Sequence, residues 1–294
     1  MFFYDLYGLS IRSCIKFEFL NPADSSSHHD VNIIELKKKS LSEYKLEDQI
    51  ELKNAKIFRS NVGLFILENG NIISFIRYSN DVSDATVSRS IINVIFGYCL
   101  YQRNNFVIHA SSVRYKDDAC LFVGPSGIGK SSFSASFNLL KEISFICEDV
   151  AFIKKIDESY QVVTGPPLIK LTDEMMETTK LKYNKKYKLK TDRLNRSLYE
   201  ITNCKSSSTK IKCCYFLEWG DKFSISKLES SKLLPSFLIN TYTAFPFNAC
   251  KESSLLFHNF IEEFVKKVPI YKITRKKNKS FKENKMIIDH LNKI

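Results

Sequence analysis

A glycine-rich loop near the middle of the chain has the residue types and spacing of a phosphate-binding loop. It comprises Gly124, Pro125, Ser126, Gly127, Ile128, Gly129, Lys130, Ser131 and Ser132, which fit the pattern G-x-x-x-x-G-K-[ST]. Glycines let such a loop curl so that its N–H groups point at a β-phosphate. Lys130, expected to be a solvent-facing cation, would reach the β- and γ-phosphate oxygens, and the Ser131 hydroxyl would bind Mg²⁺. The sequence therefore predicts a site for a nucleoside triphosphate with Mg²⁺.

The sequence on either side of this loop has the patterns of a strand and a helix. The apolar run 119–123 predicts a strand that leads into the loop. A helix is predicted after the loop, to about Lys141, with Phe133, Phe137 and Leu140 on one face. This strand–loop–helix context is the one in which the motif binds phosphate, because the helix N-terminus adds a partial positive charge.

Two adjacent acids follow the next predicted strand, 143–147. They are Glu148 and Asp149. Ligands of open α/β sheets collect at the carboxyl ends of strands. Phosphoryl transfer uses one acid to hold Mg²⁺ and often a second to orient or deprotonate the attacking hydroxyl. The pair suits both tasks, and the alternative is an exposed acidic turn without a catalytic role.

A histidine, His109, lies in the apolar segment 106–113, which is predicted to be the strand before the loop strand. A lone histidine in an apolar strand is most often a packed residue whose ring is hydrogen-bonded in the core. By itself, therefore, His109 does not indicate a function.

Several segments together resemble the catalytic domain of HPr kinase/phosphorylase. They are His109-Ala-Ser-Ser-Val, the loop 121–132, Phe145-Ile-Cys-Glu-Asp-Val and Gly165-Pro-Pro-Leu-Ile-Lys-Leu. The pattern is most similar to stand-alone HPr-kinase-like proteins, some of which occur with ribosomal-peptide and lasso-peptide biosynthesis. The resemblance covers about 85–175 well, 1–80 loosely and 180–294 hardly at all.

The resemblance implies a twisted α/β core shared with phosphoenolpyruvate carboxykinases, with ATP and Mg²⁺ held by the loop. It implies that His109 lies near the transferred phosphate. It also implies that Glu148 is the base toward an acceptor serine and that Asp149 lies near the metal with Ser131. The chain departs from the family at Glu148, where the family has aspartate. The longer side chain could displace the base by more than the ~0.5 Å that a positioned group tolerates.

The function expected from these features is ATP- and Mg²⁺-dependent phosphoryl transfer to a serine hydroxyl of a small protein or precursor peptide. Two alternatives remain open. One is a nucleotide-binding regulatory or scaffold protein that has lost catalysis at Glu148, and the other is a small-molecule kinase. The expected partners are ATP, the acceptor and further copies of the chain.

The order of predicted elements divides the α/β chain into three parts. Residues 1–82 are expected to form a small β-rich domain, 83–103 a linking helix and 104–294 the ATP-binding catalytic domain. In the first part, strands are predicted at 2–6, 15–20, 31–36, 63–67 and 72–77, with a hairpin turn at 69–71. In the third, further strands are predicted at 151–156, 160–163, 168–171 and 213–219, and helices at 233–242 and 253–267.

The linking helix is predicted from one N-cap and one apolar stripe. Asp84 is the expected N-cap residue. Val87, Ile91, Ile95 and Cys99 recur at a spacing of four, which places them on a single helix face.

The composition is that of a folded protein, with 44% apolar and 13% aromatic residues among 294. The net charge of +12 fits a solvated lysine-rich surface or attraction to an acidic partner, and no nucleic-acid-binding signature accompanies it.

No apolar run approaches the ~20 residues of a membrane span, so no membrane partner is expected. The N-terminus lacks a signal-peptide pattern. The eight cysteines lack metal-ligand spacing, which favours free thiols in the cytoplasm and argues against zinc.

Overall fold

A computed structural model describes residues 1–25, 28–37, 55–140, 143–189, 194–202, 208–241, 251–277 and 281–294, with the backbone alone at 251–254. The chain forms two compact units, Met1–Val107 and Ile108–Ile294. Both contain strands and helices, so the fold is mixed α/β as expected. Whether its core has the phosphoenolpyruvate-carboxykinase arrangement stays a prediction. No helix in the described ranges is long and apolar enough to cross a membrane.

The first unit contains a six-stranded sheet with the order β1-β2-β3-β6-β5-β4. Its strands are β1 (Phe2–Leu6), β2 (Leu9–Ser13), β3 (Val31–Glu35), β4 (Ala55–Arg59), β5 (Gly63–Glu68) and β6 (Ile72–Arg77). Strands β2, β3 and β6 pair in parallel, and the other pairs are antiparallel. The predicted hairpin between β5 and β6 is confirmed, with Asn69 and Gly70 both at positive φ.

The strand predicted at 15–20 was wrong. Its alternation is genuine, because Ile15, Phe17 and Phe19 are buried. The backbone of this segment finds partners other than a neighbouring strand. The Tyr4 hydroxyl accepts from the N–H of Phe17 at 2.9 Å, and the Ser13 hydroxyl accepts from the N–H of Ile15 at 3.2 Å. Alternating burial therefore arose here without a sheet ladder.

The helical segment of the first unit is interrupted. Helix α1 (Asp84–Ser90) passes through a π-helical turn (Ile91–Ile95) into α2 (Phe96–Gln102). Asn93, with φ −84° and ψ −108°, breaks the regular helix inside that turn. The predicted apolar face is confirmed, since all four of its residues are at most 3% exposed.

The predicted cap of this segment was wrong by one residue. Ser83 is the N-cap, and Asp84 is the first helical residue. The carboxylate of Asp84 forms an ion pair with Arg77 instead.

The second unit contains a nine-stranded sheet and a three-stranded sheet. The larger sheet comprises β7 (Phe106–Ile108), in which the boundary between the units falls, β8 (Ala110–Tyr115), β9 (Asp118–Val123), β10 (Ile143–Cys147), β11 (Ala151–Ile156), β12 (Ser159–Val163), β16 (Thr209–Trp219), β17 (Ser224–Lys227) and β18 (Ile270–Arg275). Its order is β10-β8-β9-β16-β12-β11-β7, with β18 paired to β16 and β17 to β18. The smaller sheet has the order β13-β15-β14, from β13 (Leu168–Leu171), β14 (Tyr183–Lys188) and β15 (Ser197–Ile201).

Among the described residues, five α-helices complete this unit. They are α3 (Lys130–Ser136), α4 (Asp173–Thr179), α5 (Ser230–Ile239), α6 (Lys251–Lys267) and α7 (Asn284–Leu291). Helix α3 is shorter than predicted, because a 3-10 turn, Phe137–Leu139, follows it; Lys141 lies outside the described residues. Helix α5 begins three residues before the predicted start, and its predicted end, Tyr242, also lies outside that part of the chain.

Aromatic side chains pack the first helix of the second unit onto its sheet. The Phe122 ring on β9 contacts Phe133 and Phe137 after the loop, with ring centroids 5.1 and 5.3 Å apart. Tyr215 on β16 stacks on Phe122 at 5.8 Å. Strands β9, β16 and β18 run parallel, and Cys120 and Cys213 are register partners on the first two. The loop is therefore anchored on both sides by fully buried residues.

The strand predicted at 106–113 is divided at His109 into β7 and β8. The backbone N–H of His109 donates to the carbonyl of Asn240 at 2.7 Å rather than to a strand of the sheet. This break follows from a residue far along the chain, which the local pattern could not indicate.

Candidate functional site

The topology of the second unit gathers the predicted residues at one edge of its sheet. Strand β9 ends at the loop, and β10 runs in the same direction and ends just before Glu148 and Asp149. Strand β8 lies between them and runs in the opposite direction, so His109 precedes it at the same edge. The loop, the acidic pair and His109, which are three separate segments of the chain, therefore meet at this edge.

The loop requires glycine at its close approach to a neighbouring strand. Gly129 has φ 87°, and a Cβ added there would lie 2.7 Å from Nη2 of Arg275. The left-handed backbone disfavours an ordinary side chain, and any side chain here would also displace the Arg275 guanidinium. The curled backbone expected of a phosphate-binding loop is therefore built into the fold before any ligand is considered.

Lys130 is not the solvent-facing cation that the sequence predicted. It is 6% exposed, and its Nζ donates to the carbonyls of Gly124 at 2.7 Å and Pro125 at 3.3 Å. Burial lowers the pKa of Lys130, and the charges of Asp149 and Glu148 partly offset that effect. The ammonium lies folded over its own loop, because its flexible stem lets it satisfy loop carbonyls while facing the acidic pair.

Glu148 lies against the loop and is half-buried. Its Oε2 accepts from the backbone N–H of Lys170 at 2.5 Å, and the side chain of Ser131 also hydrogen-bonds to it. Burial and the neighbouring charge of Asp149 raise its pKa to about 8, although Lys170, Ser131 and the backbone N–H act in the opposite direction. Glu148 can therefore accept or release a proton near neutral pH.

Asp149 has a rare backbone conformation. Its φ is 61°, and the N–H of Val150 donates to the carbonyl of Glu148 at 2.7 Å, which closes a three-residue γ-turn around Asp149. The positive-φ form of this turn is strained, and such strain concentrates at functional sites. The turn directs two successive carboxylates into the same cluster.

The side chain of Asp149 contacts two cationic or proton-donating groups. Oδ1 lies 3.2 Å from Nε2 of His109, and Oδ2 lies 3.7 Å from Nζ of Lys170. Burial acts to raise the pKa of Asp149, but the hydrogen bond from His109 and the charges of Lys170, His109 and Lys130 together lower it. Because an ionised carboxylate only accepts, Nε2 of His109 carries the proton of this hydrogen bond.

Two basic residues of the cluster were not singled out from the sequence. Lys170 belongs to the segment Gly165-Pro-Pro-Leu-Ile-Lys-Leu. A lysine within the apolar strand β13 was the sequence signal that could have identified it. Arg275, which ends β18, donates from Nη2 to the carbonyl of Ile128 at 2.8 Å. No local pattern marks Arg275, because its position depends on the parallel register of β16 and β18.

Magnesium fits the oxygen donors at this edge. Mg²⁺ takes hard oxygen ligands and is usually held by one or two carboxylates together with substrate phosphates. Ser131, Glu148 and Asp149 offer a hydroxyl and two carboxylates. In the described ranges, no group of three or more His, Cys, Asp or Glu residues could hold a metal ion alone. The donor set therefore suits an ion that arrives with a phosphate ligand.

Comparison with known proteins shows a distant similarity of fold to solved structures. No protein-family model matches the sequence, and no curated protein matches it. Among solved structures, the HPr(Ser) kinase/phosphatase from Coxiella burnetii aligns with 64% of this chain and 93% of its own, at 10% sequence identity and a TM-score of 0.31.

Proposed function

We propose that the protein is an ATP- and Mg²⁺-dependent kinase that transfers the γ-phosphoryl group to a serine hydroxyl of a small protein or precursor peptide. The observation that carries this proposal is the meeting of the loop residues Lys130 and Ser131 with Glu148, Asp149 and His109. A loop alone supports binding, whereas a loop facing an acidic pair has the groups that phosphoryl transfer uses.

In this proposal the loop and its lysine bind the triphosphate. The ammonium of Lys130 exchanges its bonds to the carbonyls of Gly124 and Pro125 for phosphate oxygens, and the loop N–H groups hold the β-phosphate. Mg²⁺, when bound beside Ser131, supplies positive charge to the transferring phosphoryl group.

The two acids divide the remaining work according to their protonation. Glu148, with a pKa raised to about 8, takes the proton of the attacking serine hydroxyl. Asp149 stays ionised and serves as the metal-side carboxylate, while its hydrogen bond to His109 fixes its direction. Lys170 balances the paired negative charge.

The class of acceptor is inferred from the sequence resemblance and from the charge of the chain. The segments around His109, the loop, Phe145 and Gly165 resemble kinases that act on small proteins and peptides. The net charge of +12 would favour an acidic acceptor surface.

The decisive experiment incubates purified protein with Mg·ATP and serine-containing peptides encoded beside its gene, and resolves the products by mass. We expect the peptide to gain one phosphoryl group, and we expect a serine-to-alanine peptide to gain none. Lys130→Ala is the matched control, because it should lose ATP binding and transfer together. Normal ATP binding without transfer to any acceptor would instead support the nucleotide-binding regulatory protein.

A further inference from the structure

The residues of the candidate site lie on one side of the loop, which gives a bound triphosphate a direction. Lys130 and Ser131 face Glu148 and Asp149, which follow β10. In the sheet order β10-β8-β9-β16, these acids and the loop strand β9 leave β16 on the opposite side. The terminal phosphate belongs with the acids, so the nucleoside end would extend toward the ends of β16 and β18.

An aromatic side chain is held at that opposite side. Trp219 ends β16 and is the register partner of Arg275 at the end of β18. Its Cη2 lies 3.8 Å from the position that a Cβ on Gly129 would take, so the indole adjoins the loop. Trp219 is partly buried against the core beneath the loop. Trp219 therefore keeps intermediate solvent exposure while its indole adjoins the loop.

Arg275 fixes the indole from beneath. Its guanidinium carbon lies 4.3 Å from the Trp219 ring centroid and 4.8 Å from that of Phe133. The side chain is 7% exposed, and its Nε has no hydrogen-bond partner among the described residues. Burial lowers the pKa of Arg275 to about 10, so it stays charged at neutral pH. An indole in cation–π contact with Arg275 thus lies beside the predicted phosphate-binding loop.

We propose that Trp219, held by Arg275, is the surface on which the base of the bound nucleotide stacks. This inference rests on the proposed nucleotide-binding function and adds the residue that distinguishes a nucleotide from a bare polyphosphate. Stacking of a nucleobase on an aromatic side chain tolerates different bases, because each base has a π-face. Trp219 would therefore favour nucleotides over tripolyphosphate without strong selection among bases.

The test compares ATP with tripolyphosphate, each with Mg²⁺, by calorimetric titration of the full chain. Trp219→Ala should weaken ATP binding about tenfold and leave tripolyphosphate binding unchanged, since only ATP has a base to stack. Trp219→Phe should retain most of the ATP affinity. Tyr183→Ala is the matched control, because Tyr183 is an exposed aromatic residue, 47% accessible, on the smaller sheet.

A second readout uses the wild-type protein, so it does not depend on how the variants fold. Trp219 is the only tryptophan in the sequence. Its emission should change on addition of Mg·ATP more than on addition of Mg·tripolyphosphate. Equal losses of both ligands in Trp219→Ala, or no loss of either, would overturn the stacking role while leaving the loop assignment intact. Failure of the wild type to bind either ligand would overturn the loop assignment and this inference with it.

Discussion

At the scale of single residues, Glu148 and Asp149 are chain neighbours in opposite electrostatic situations. Burial and the charge of Asp149 raise the pKa of Glu148 to about 8. The pKa of Asp149 is lowered because His109, Lys170 and Lys130 outweigh its burial. Active sites often place two carboxyl groups in environments that shift their pKa values in opposite directions. One group then accepts a proton while the other stays ionised. The proposed division of labour follows from this contrast.

The first residue-scale prediction concerns the pH dependence of phosphoryl transfer. Because the ionised form of Glu148 is the base, kcat at saturating Mg·ATP should rise with pH through about 8. Glu148→Gln should remove this rise and reduce turnover by roughly 10²- to 10⁴-fold, while ATP affinity stays near that of the wild type. If Glu148→Gln instead lost its Mg²⁺ dependence and Asp149→Asn kept it, the two roles would be reversed.

The raised pKa of Glu148 should also make the stability of the substrate-free protein depend on pH. The pKa of Glu148 is higher in the folded chain than its ordinary value of 4.5, so the folded state binds the proton more tightly. Its contribution to the free energy of unfolding is therefore fully present below about pH 4.5 and is lost as the pH rises through about 8. Urea denaturation across this window should show a smaller fall for Glu148→Gln than for the wild type.

At the scale of elements, the site is made where strands of opposite direction share one edge. The C-terminal ends of β9 and β10 and the N-terminal end of β8 lie at this edge. The γ-turn at Asp149 joins β10 to β11 there. A turn this tight lets two adjacent acids point into one cluster. The backbone conformation of Asp149 is thus part of the site geometry.

We predict that Asp149→Gly will be more stable to urea than Asp149→Ala by about 1 kcal/mol. Both substitutions remove the carboxylate and its contacts, but only glycine adopts φ 61° without a steric cost. In most positions alanine is the more stable of the two, so the sign is informative. Greater stability of the alanine variant would show that Asp149 is not held in the left-handed region.

The sequence could predict the elements whose signals are local. The loop spacing, the hairpin at Gly70 and the apolar stripe of the helical segment 84–102 depend on neighbouring residues alone. The break at His109 was not predictable, because it depends on the carbonyl of Asn240. Arg275 was missed for the same reason, since the parallel register of β16 and β18 brings it to the loop. Lys170 did carry a local signal, its position in the apolar strand β13, but its contact with Asp149 joins residues distant in sequence.

At the scale of the whole molecule, every residue of the candidate site belongs to the second unit. This holds for the loop, His109, the acidic pair, Lys170 and Arg275. The first unit has its own sheet and its own buried residues. The division expected from the sequence, at about residue 104, keeps β7 with the sheet of the second unit.

We therefore predict that a fragment of residues 104–294 will fold and will bind Mg·ATP with an affinity near that of the full chain. Thermal unfolding with and without Mg·ATP would measure this, with Lys130→Ala in the same fragment as the control. A folded fragment that Mg·ATP fails to stabilise, beside a full chain that it does stabilise, would show that the first unit contributes to binding.

The paired cysteines behind the loop have a separate consequence. Cys120 and Cys213 lie side by side on β9 and β16, both fully buried. The pKa of Cys120 is raised well above its ordinary value by its hydrogen bond with Cys213 and by burial. A thiol reagent needs both access and a thiolate, so these two groups react only when the strands separate. The rate at which Cys120 and Cys213 are alkylated therefore measures how often the sheet that supports the loop opens between β9 and β16.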